Sequence, residues 1–383
     1  MFKIIAVLIV ILLLAGISFY ISYRLHQGIS SFFPQVKLWH ILIGVSTIVL
    51  LLILSFVRSM TPFPVGLKSV LGIIGAVCMG IMLYLLLFTI AADLLTLIPR
   101  ILKLGFTKHH LFNGFVTISV LSLTAITCIG GFINARQIDH VSYDIKLEGK
   151  RDISDINVVM ISDLHLGAVD SEGRLEDIVS ELNALNPDVI CIAGDFFDTD
   201  FSSISDPDAA IKTLQKLNST YGVYACLGNH DGGKTNSQMV EFLEKANVTL
   251  LREEYVVIDE RLILIGRLDA SSIGGYGDQK RGELSDFFER TDPTIPVIVM
   301  DHNPARINQY TNEVDLILCG HTHKGQVFPG SIITGFMYDV DYGYYQKDAS
   351  SPQVVVSSGI GAWGMPMRIG SNNEIVTINF SCN

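Results

Sequence analysis

Four stretches of about 20 almost wholly apolar residues follow one another before residue 134, at roughly 4–23, 38–57, 70–90 and 112–133. A helix needs about 20 such residues to cross a hydrocarbon core, and a water-soluble fold rarely uses four in series. The chain is therefore expected to begin with an all-α, four-helix transmembrane domain at 1–135. Charge divides it at the same place. Residues 1–133 hold eight Lys or Arg and one acid, Asp93, a formal +7, whereas the remainder holds 19 Lys or Arg against 37 acids, a formal −18. So acidic a second half is a poor match for nucleic acid, whose binding needs clustered cations.

The first stretch, preceded by Lys3, is too long for a signal-peptide core and has no clear small-x-small cleavage site, so it reads as an uncleaved span. Four crossings return the chain to its starting face. The basic residues Lys3, Arg58, Lys68 and Arg136 stand against Arg24, Lys37, Arg100, Lys103 and Lys108. The compact run from Arg100 to Lys108 assigns that loop to the cytoplasm, and the second domain to the extracytoplasmic face of the cell membrane. Asp93 lies near the end of the third stretch and reads as an interfacial carboxylate. The spans offer no polar pathway for a transported solute.

Past a polar connection at 136–154, short apolar runs alternate with helical segments. Strands are expected at 157–161, 188–193 and 222–227, and helices at 174–185, 212–217 and 238–245. The pattern is α/β. Cys191, Cys226 and Cys319 lie in apolar runs, with no paired spacing for a disulfide framework or zinc knuckle, and read as small core residues.

Several of the expected strands run into groups that can hold metal, where open α/β sheets place their sites. These are Asp163-Leu164-His165, Gly194-Asp195-Phe196-Phe197-Asp198, Gly228-Asn229-His230-Asp231, Asp301-His302-Asn303 and Gly320-His321-Thr322-His323. Any one could be a turn or a chance pairing. Between residues 141 and 383, however, histidine occurs only at 165, 230, 302, 321 and 323, and each falls in one of these groups.

This order of motifs, over about residues 155–380, resembles the calcineurin-like metallophosphoesterase superfamily. The flanking Ser162–Gly167 and Gly320–Gln326 segments, and the tail Ser357–Gly364, are similar to the bacterial branch typified by YaeI and YkuE. Two positions depart from that branch: Lys324 stands where it usually has Gly, and Asn373 where a Pro precedes the residue matching Glu374. The resemblance implies a four-layer α/β/β/α sandwich at 155–383.

It also implies two divalent metals, with Mn, Fe or Zn favoured by mixed carboxylate, imidazole and amide ligands, and Mg less so. Asp163, His165 and His323 would hold the first metal, Asn229, His302 and His321 the second, and Asp195 would bridge them. Two such ions can activate water as hydroxide and clamp phosphoryl oxygens. His230 would protonate the leaving group, Asp231 would orient His230, and Asp198 would support the ligands from behind. Gly194, Gly228 and Gly320 would let the backbone approach the metals.

The expected activity is hydrolysis of a phosphomonoester or phosphodiester, with a lipid-linked or envelope substrate favoured by the bilayer anchor. A tethered general phosphodiesterase, nucleotide hydrolase or phosphoprotein phosphatase is the alternative within enzymes. A sensor or scaffold fits poorly, because all eight carried-over positions are intact. Tyr338, Tyr342, Tyr344, Tyr345, Trp363, Met365 and Met367 either pack the second sheet or seat an acyl chain.

Overall fold

The computed structural model describes residues 2–57, 61, 63–168, 171–288 and 292–382; Arg58, weighed above for orientation, lies outside them. The chain divides into Met1–Phe132 and Ile133–Asn383. The first unit is helical: α1 Phe2–Phe32, α2 Leu38–Val57, α3 Val65–Ile101 and α4 Phe112–Asn134. All four are long and apolar enough to cross a membrane. α1 and α3 run well past the apolar stretches that announced them. The cause is that Arg24, Gln27, Asp93 and Arg100 satisfy one another within the bundle, so polar residues need not end a helix. Asp93 consequently lies within α3, eight residues before its end at Ile101, held by Arg24 of α1 and by the Tyr20 hydroxyl at 2.8 Å.

In the second unit the strands are β1 Ile138–Leu147, β2 Val158–Ile161, β3 Val189–Ala193, β4 Val223–Cys226, β5 Thr249–Leu250, β6 Glu254–Ile258, β7 Leu262–Gly266, β8 Val297–Met300, β9 Leu316–Cys319, β10 Gly343–Tyr345, β11 Gln353–Val356 and β12 Asn373–Cys382. They form two six-stranded sheets, ordered β1-β12-β2-β3-β4-β5 and β10-β11-β9-β8-β7-β6. The helices are α5 Leu175–Ala184, α6 Pro207–Leu214, α7 Asn236–Lys245, the short α8 Ser285–Phe288 and α9 Gly330–Met337. α6 begins earlier than its hydrophobic spacing suggests, because Asp206 caps it, accepting from the Ala209 N–H, and Pro207 occupies the first turn.

Side-chain alternation along each strand builds the layers. Val158 and Met160 of β2 face Leu264, Ile298 and Leu318 of the second sheet in the central core, whereas Val159 and Ile161 face the α5–α7 side with Leu182 and Phe242. The outer face of the second sheet, including Ile263, Val299 and Ile317, packs with Phe287 of α8 and Tyr310. This is the expected four-layer sandwich. Each fully buried apolar side chain of this kind contributes about 1.5 to 3 kcal/mol. Cys191, Cys226 and Cys319 lie in these strands as free thiols, and burial pushes the Cys191 thiol up to about 12.

Residues 138–147, within the stretch expected to be a connection, form β1. It pairs in parallel with β12 from Ile138 opposite Asn373 to Leu147 opposite Cys382. Its polar-looking sequence reflects an edge position: Ile145 and Leu147 are buried while Asp139, His140, Ser142, Asp144 and Lys146 are exposed.

Candidate metal centre

β2, β3 and β4 are mutually parallel in one sheet, and β8 and β9 are parallel in the other. Asp163, Asp195 and Asn229 come two or three residues after the ends of β2, β3 and β4; His302 and His321 come two residues after β8 and β9. The first two ligand loops are joined by backbone bonds from Asp163 N–H to Gly194 O at 2.9 Å and from His165 N–H to Asp195 O at 3.0 Å. Non-glycine residues rarely adopt positive φ, yet Asp163, His165, Asp195, His321 and His323 do so, with φ between 49° and 73°. Positive φ also occurs in turns elsewhere in the chain, such as Asn186 and Asn247, but five such residues cluster here. Here the turned backbone aims these side chains inward.

All seven expected ligands converge. His165 Nε2 and His323 Nε2 face each other at 3.1 Å, and Asp163 Oδ1 is 3.3 Å from His323 Nε2. Asp195 Oδ2 is 3.8 Å from His165 Nε2 on one side and 3.1 Å from His302 Nε2 on the other. Asn229 Oδ1 lies 3.2 Å from His302 Nε2 and 2.6 Å from His321 Nδ1. Asp163 with His165 and His323, and Asp195 with His302 and His321, are each close enough to share one ion.

The donor chemistry fits cations. His302 Nδ1 lies 2.8 Å from the Ala193 carbonyl, which can only accept, so Nδ1 carries the proton. In its neutral form the ring presents the Nε2 lone pair, beside a carboxylate oxygen and an amide oxygen, to any cation held between them. Burial, reinforced by the neighbouring His302, pushes His321 down to about 3, and burial with the Arg368 charge holds His323 well below the ordinary imidazole value. Neutral imidazole is the form that can bind a metal. Burial alone would lower His302, but Asp195 and Asp163 outweigh it and raise that ring.

The three glycines work mainly by close approach. A Cβ on Gly228 would lie 2.2 Å from Asp195 Oδ1, and one on Gly320 2.3 Å from Asp163 Oδ2. Gly194 is crowded by His302 and is the one of the three with positive φ, +82°.

His230 Nδ1 meets the Thr199 hydroxyl at 2.6 Å, with Asp198 Oδ1 4.0 Å away. Asp198 also lies 3.5 Å from His165 Nδ1, so it stands behind both rings. Asp231 does not orient His230. Its buried carboxylate accepts from the backbone N–H groups of Gly228 at 2.8 Å, Phe197 at 2.8 Å and Phe196 at 3.2 Å, which fastens the loop after β3 to the loop after β4. Burial and the Asp195 charge push it up to about 7.

Thr199 and Arg368 are contributors that sequence reasoning missed. Arg368 is 1% exposed and reaches the His323 carbonyl at 3.2 Å. The departure at Asn373 accompanies it: Asn373 Oδ1 accepts from Arg368 Nε at 2.9 Å. Thr199 follows the Gly194–Asp198 motif directly, but nothing local marks Arg368. Lys324, at φ +51°, places Nζ 3.9 Å from the Tyr342 ring centre. Of the aromatic group, Tyr338 stands edge-on to His321 at 6.0 Å and Trp363 lies 6.1 Å from His230, while Met365 and Met367 are buried.

The calcineurin-like phosphoesterase family model matches residues 156–325. An uncharacterised metallophosphoesterase of Aquifex aeolicus is 31% identical over 237 residues, which cover 62% of this chain and 89% of the relative. The Bacillus subtilis metallophosphoesterase YkuE is 30% identical over 272 residues, 67% of this chain and 91% of the relative. A Danio rerio transmembrane protein with a metallophosphoesterase domain is 29% identical over 328 residues, 80% of this chain and 73% of that protein.

Proposed function

Because this chain belongs to the calcineurin-like phosphoesterase family and is thereby a metal-dependent phosphoester hydrolase, we propose that it works anchored in a membrane on a lipid-linked phosphomonoester or phosphodiester. The observation that carries the two-metal reading is the convergence of His302 Nε2, Asp195 Oδ2 and Asn229 Oδ1 beside the facing His165 and His323 rings. Asp163, His165 and His323 would hold one divalent ion and Asn229, His302 and His321 a second, with Asp195 between. Mn, Fe or Zn suits this set. Such a pair supplies the Lewis acidity that activates water and neutralises phosphate oxygens.

The residues of the chain supply the rest. His230 gives a proton to the departing oxygen, and Thr199 Oγ, 2.6 Å from its Nδ1, holds the ring in place. Asp198 keeps the His165 ring oriented from behind. Asp231 keeps the two ligand loops in register through the backbone N–H groups it binds.

The lipid reading is supported by two independent features. Four helices of the first unit suit a bilayer. In the catalytic unit α9 has no buried residue, and Ile332, Ile333, Phe336 and Met337 are exposed, Phe336 by 89%. Its neighbour Tyr338 touches the ligand His321, so an apolar surface adjoins the metal residues. The reading that places the catalytic unit on the extracytoplasmic face rests on the basic run from Arg100 to Lys108, and topology reporters fused after residue 382 test it.

Purified full-length protein in detergent, stripped by chelator and resupplied with Mn, should hydrolyse bis-p-nitrophenyl phosphate or p-nitrophenyl phosphate only when metal returns. It should then act on phospholipid phosphoesters in mixed micelles faster than on soluble nucleotides, and Phe336→Ser should raise KM for the lipid alone. Faster nucleotide turnover would overturn the lipid assignment. A folded, metal-loaded chain inert on every phosphoester would overturn the two-metal reading.

A further inference from the structure

The only acid before residue 134 is paired with more positive charge than it can neutralise. Asp93 of α3 binds Arg24 of α1 and accepts from Tyr20 at 2.8 Å, while Arg100, one turn or two further along α3, comes within 3.9 Å. Arg100 also donates to Asn113 Oδ1 of α4 at 3.2 Å. Two guanidinium groups against one carboxylate leave the cluster with one surplus positive charge. Arg24 Nε is buried with no hydrogen-bond partner. Beside these groups lies a shallow, open cleft lined by Arg24, Gln27, Asp93, Asn113 and Thr117 among others.

A surplus charge within a helix bundle is costly unless it meets a counter-ion. Arg24 precedes the end of α1 at Phe32, and Asp93 the end of α3 at Ile101, by eight residues each, roughly 12 Å along a helix. Arg100 and Asn113 lie still nearer the end they share. At this depth a span meets the boundary between acyl chains and headgroups. Lys37, Lys103 and Lys108 are in the loops at the same end, and the only acid of the first 133 residues is already paired, so the local field favours an anion.

We propose that Arg24, Arg100 and Asn113 form a binding site for a phosphate group, supplied by the headgroup of an anionic phospholipid seated against α1, α3 and α4 at the end where this cluster lies, with Arg100 reaching it from beside the cleft. The site is separate from the metal residues and does not rest on the reading of their substrate. Arg24 and Arg100 donate to phosphate oxygens, as planar guanidinium groups do well, and the Asn113 amide offers a further donor. Asp93 and Tyr20 hold Arg24 in position, and the lipid chains continue along the apolar helix faces.

The test uses the full-length protein in detergent with EDTA present, so that metal-held phosphate does not contribute, and native mass spectrometry to count bound phosphatidylglycerol against phosphatidylcholine. The wild type should retain phosphatidylglycerol preferentially. Arg24→Gln and Arg100→Gln should each weaken retention by about tenfold or more, and Arg100→Lys by less. Asp93→Asn should leave retention equal or stronger, provided its melting temperature shows a folded bundle; Arg100→Gln, at the helix end, serves if it does not. Equal retention of both lipids, or no change in folded Arg100→Gln, would overturn the site. Displacement of phosphatidylglycerol by millimolar inorganic phosphate would make free phosphate the occupant and overturn the headgroup assignment.

Discussion

Thr199 Oγ lies 2.6 Å from His230 Nδ1, so the group behind the candidate leaving-group acid is a hydroxyl four residues after Asp195 in the loop that follows β3, rather than the adjacent carboxylate of Asp231. A hydroxyl adds no charge and can donate or accept, so it can follow the ring through either protonation state.

Thr199→Val should therefore lower kcat by about tenfold with little change in KM or bound metal, well short of the loss of about 10² to 10⁴ expected for His230→Ala. Thr199→Ser should recover most of the rate. Steady-state kinetics with metal content measured on the same samples checks this, and an unchanged kcat in Thr199→Val would remove Thr199 from the mechanism.

Asp231→Asn has a different signature. An amide offers one acceptor oxygen where the carboxylate has two, and three backbone N–H groups depend on it. Leaving a buried donor unsatisfied costs about 1 to 3 kcal/mol. For a domain of this size that is a fall in Tm of roughly 2 to 4 °C per kcal/mol. Calorimetry should show a lowered catalytic-unit transition in Asp231→Asn and almost none in Thr199→Val.

Asp195 stands between the two groups of candidate ligands, 3.8 Å from His165 and 3.1 Å from His302. Asp195→Asn is expected to weaken both ions and abolish hydrolysis. Chelation of the wild type should do the same reversibly. Elemental analysis distinguishes the outcomes: two ions per chain in wild type, and fewer than one in the variant. Retention of both ions by Asp195→Asn would exclude the bridging role.

At Lys324 two effects oppose. Its left-handed backbone costs about 1 to 2 kcal/mol in a non-glycine residue, whereas the Nζ contact with the Tyr342 ring returns about 0.5 to 1 kcal/mol. Glycine would relieve the first and lose the second, while loosening the unfolded chain. Lys324→Gly should thus change unfolding free energy by less than about 1 kcal/mol and keep both metals, as urea titration and metal analysis would show. Loss of metal in Lys324→Gly would mean the lysine side chain supports the adjoining His323.

The sequence by itself determined where the long apolar helices give way to the α/β half, the strands β2, β3 and β4, and the side chains that gather at the candidate metal centre. Hydrophobic run length and the order of short motifs are local properties. Strand ends at Ile161, Ala193, Cys226, Met300 and Cys319 are marked by the change from apolar residues to Gly, Asp, Asn and His. Only the tertiary structure decided the partners. Arg24 and Asp93 are 69 positions apart, Asn373 and Ala135 are 238 apart, and β1 finds its place only because β12 lies beside it. Arg368 behind His323 likewise has no local signature, and Thr199, though next to a motif, is paired with His230 only by the fold. Their contacts follow from which way a turned backbone points each side chain and from what the folded layers bring near it, neither of which is encoded in adjacent residues.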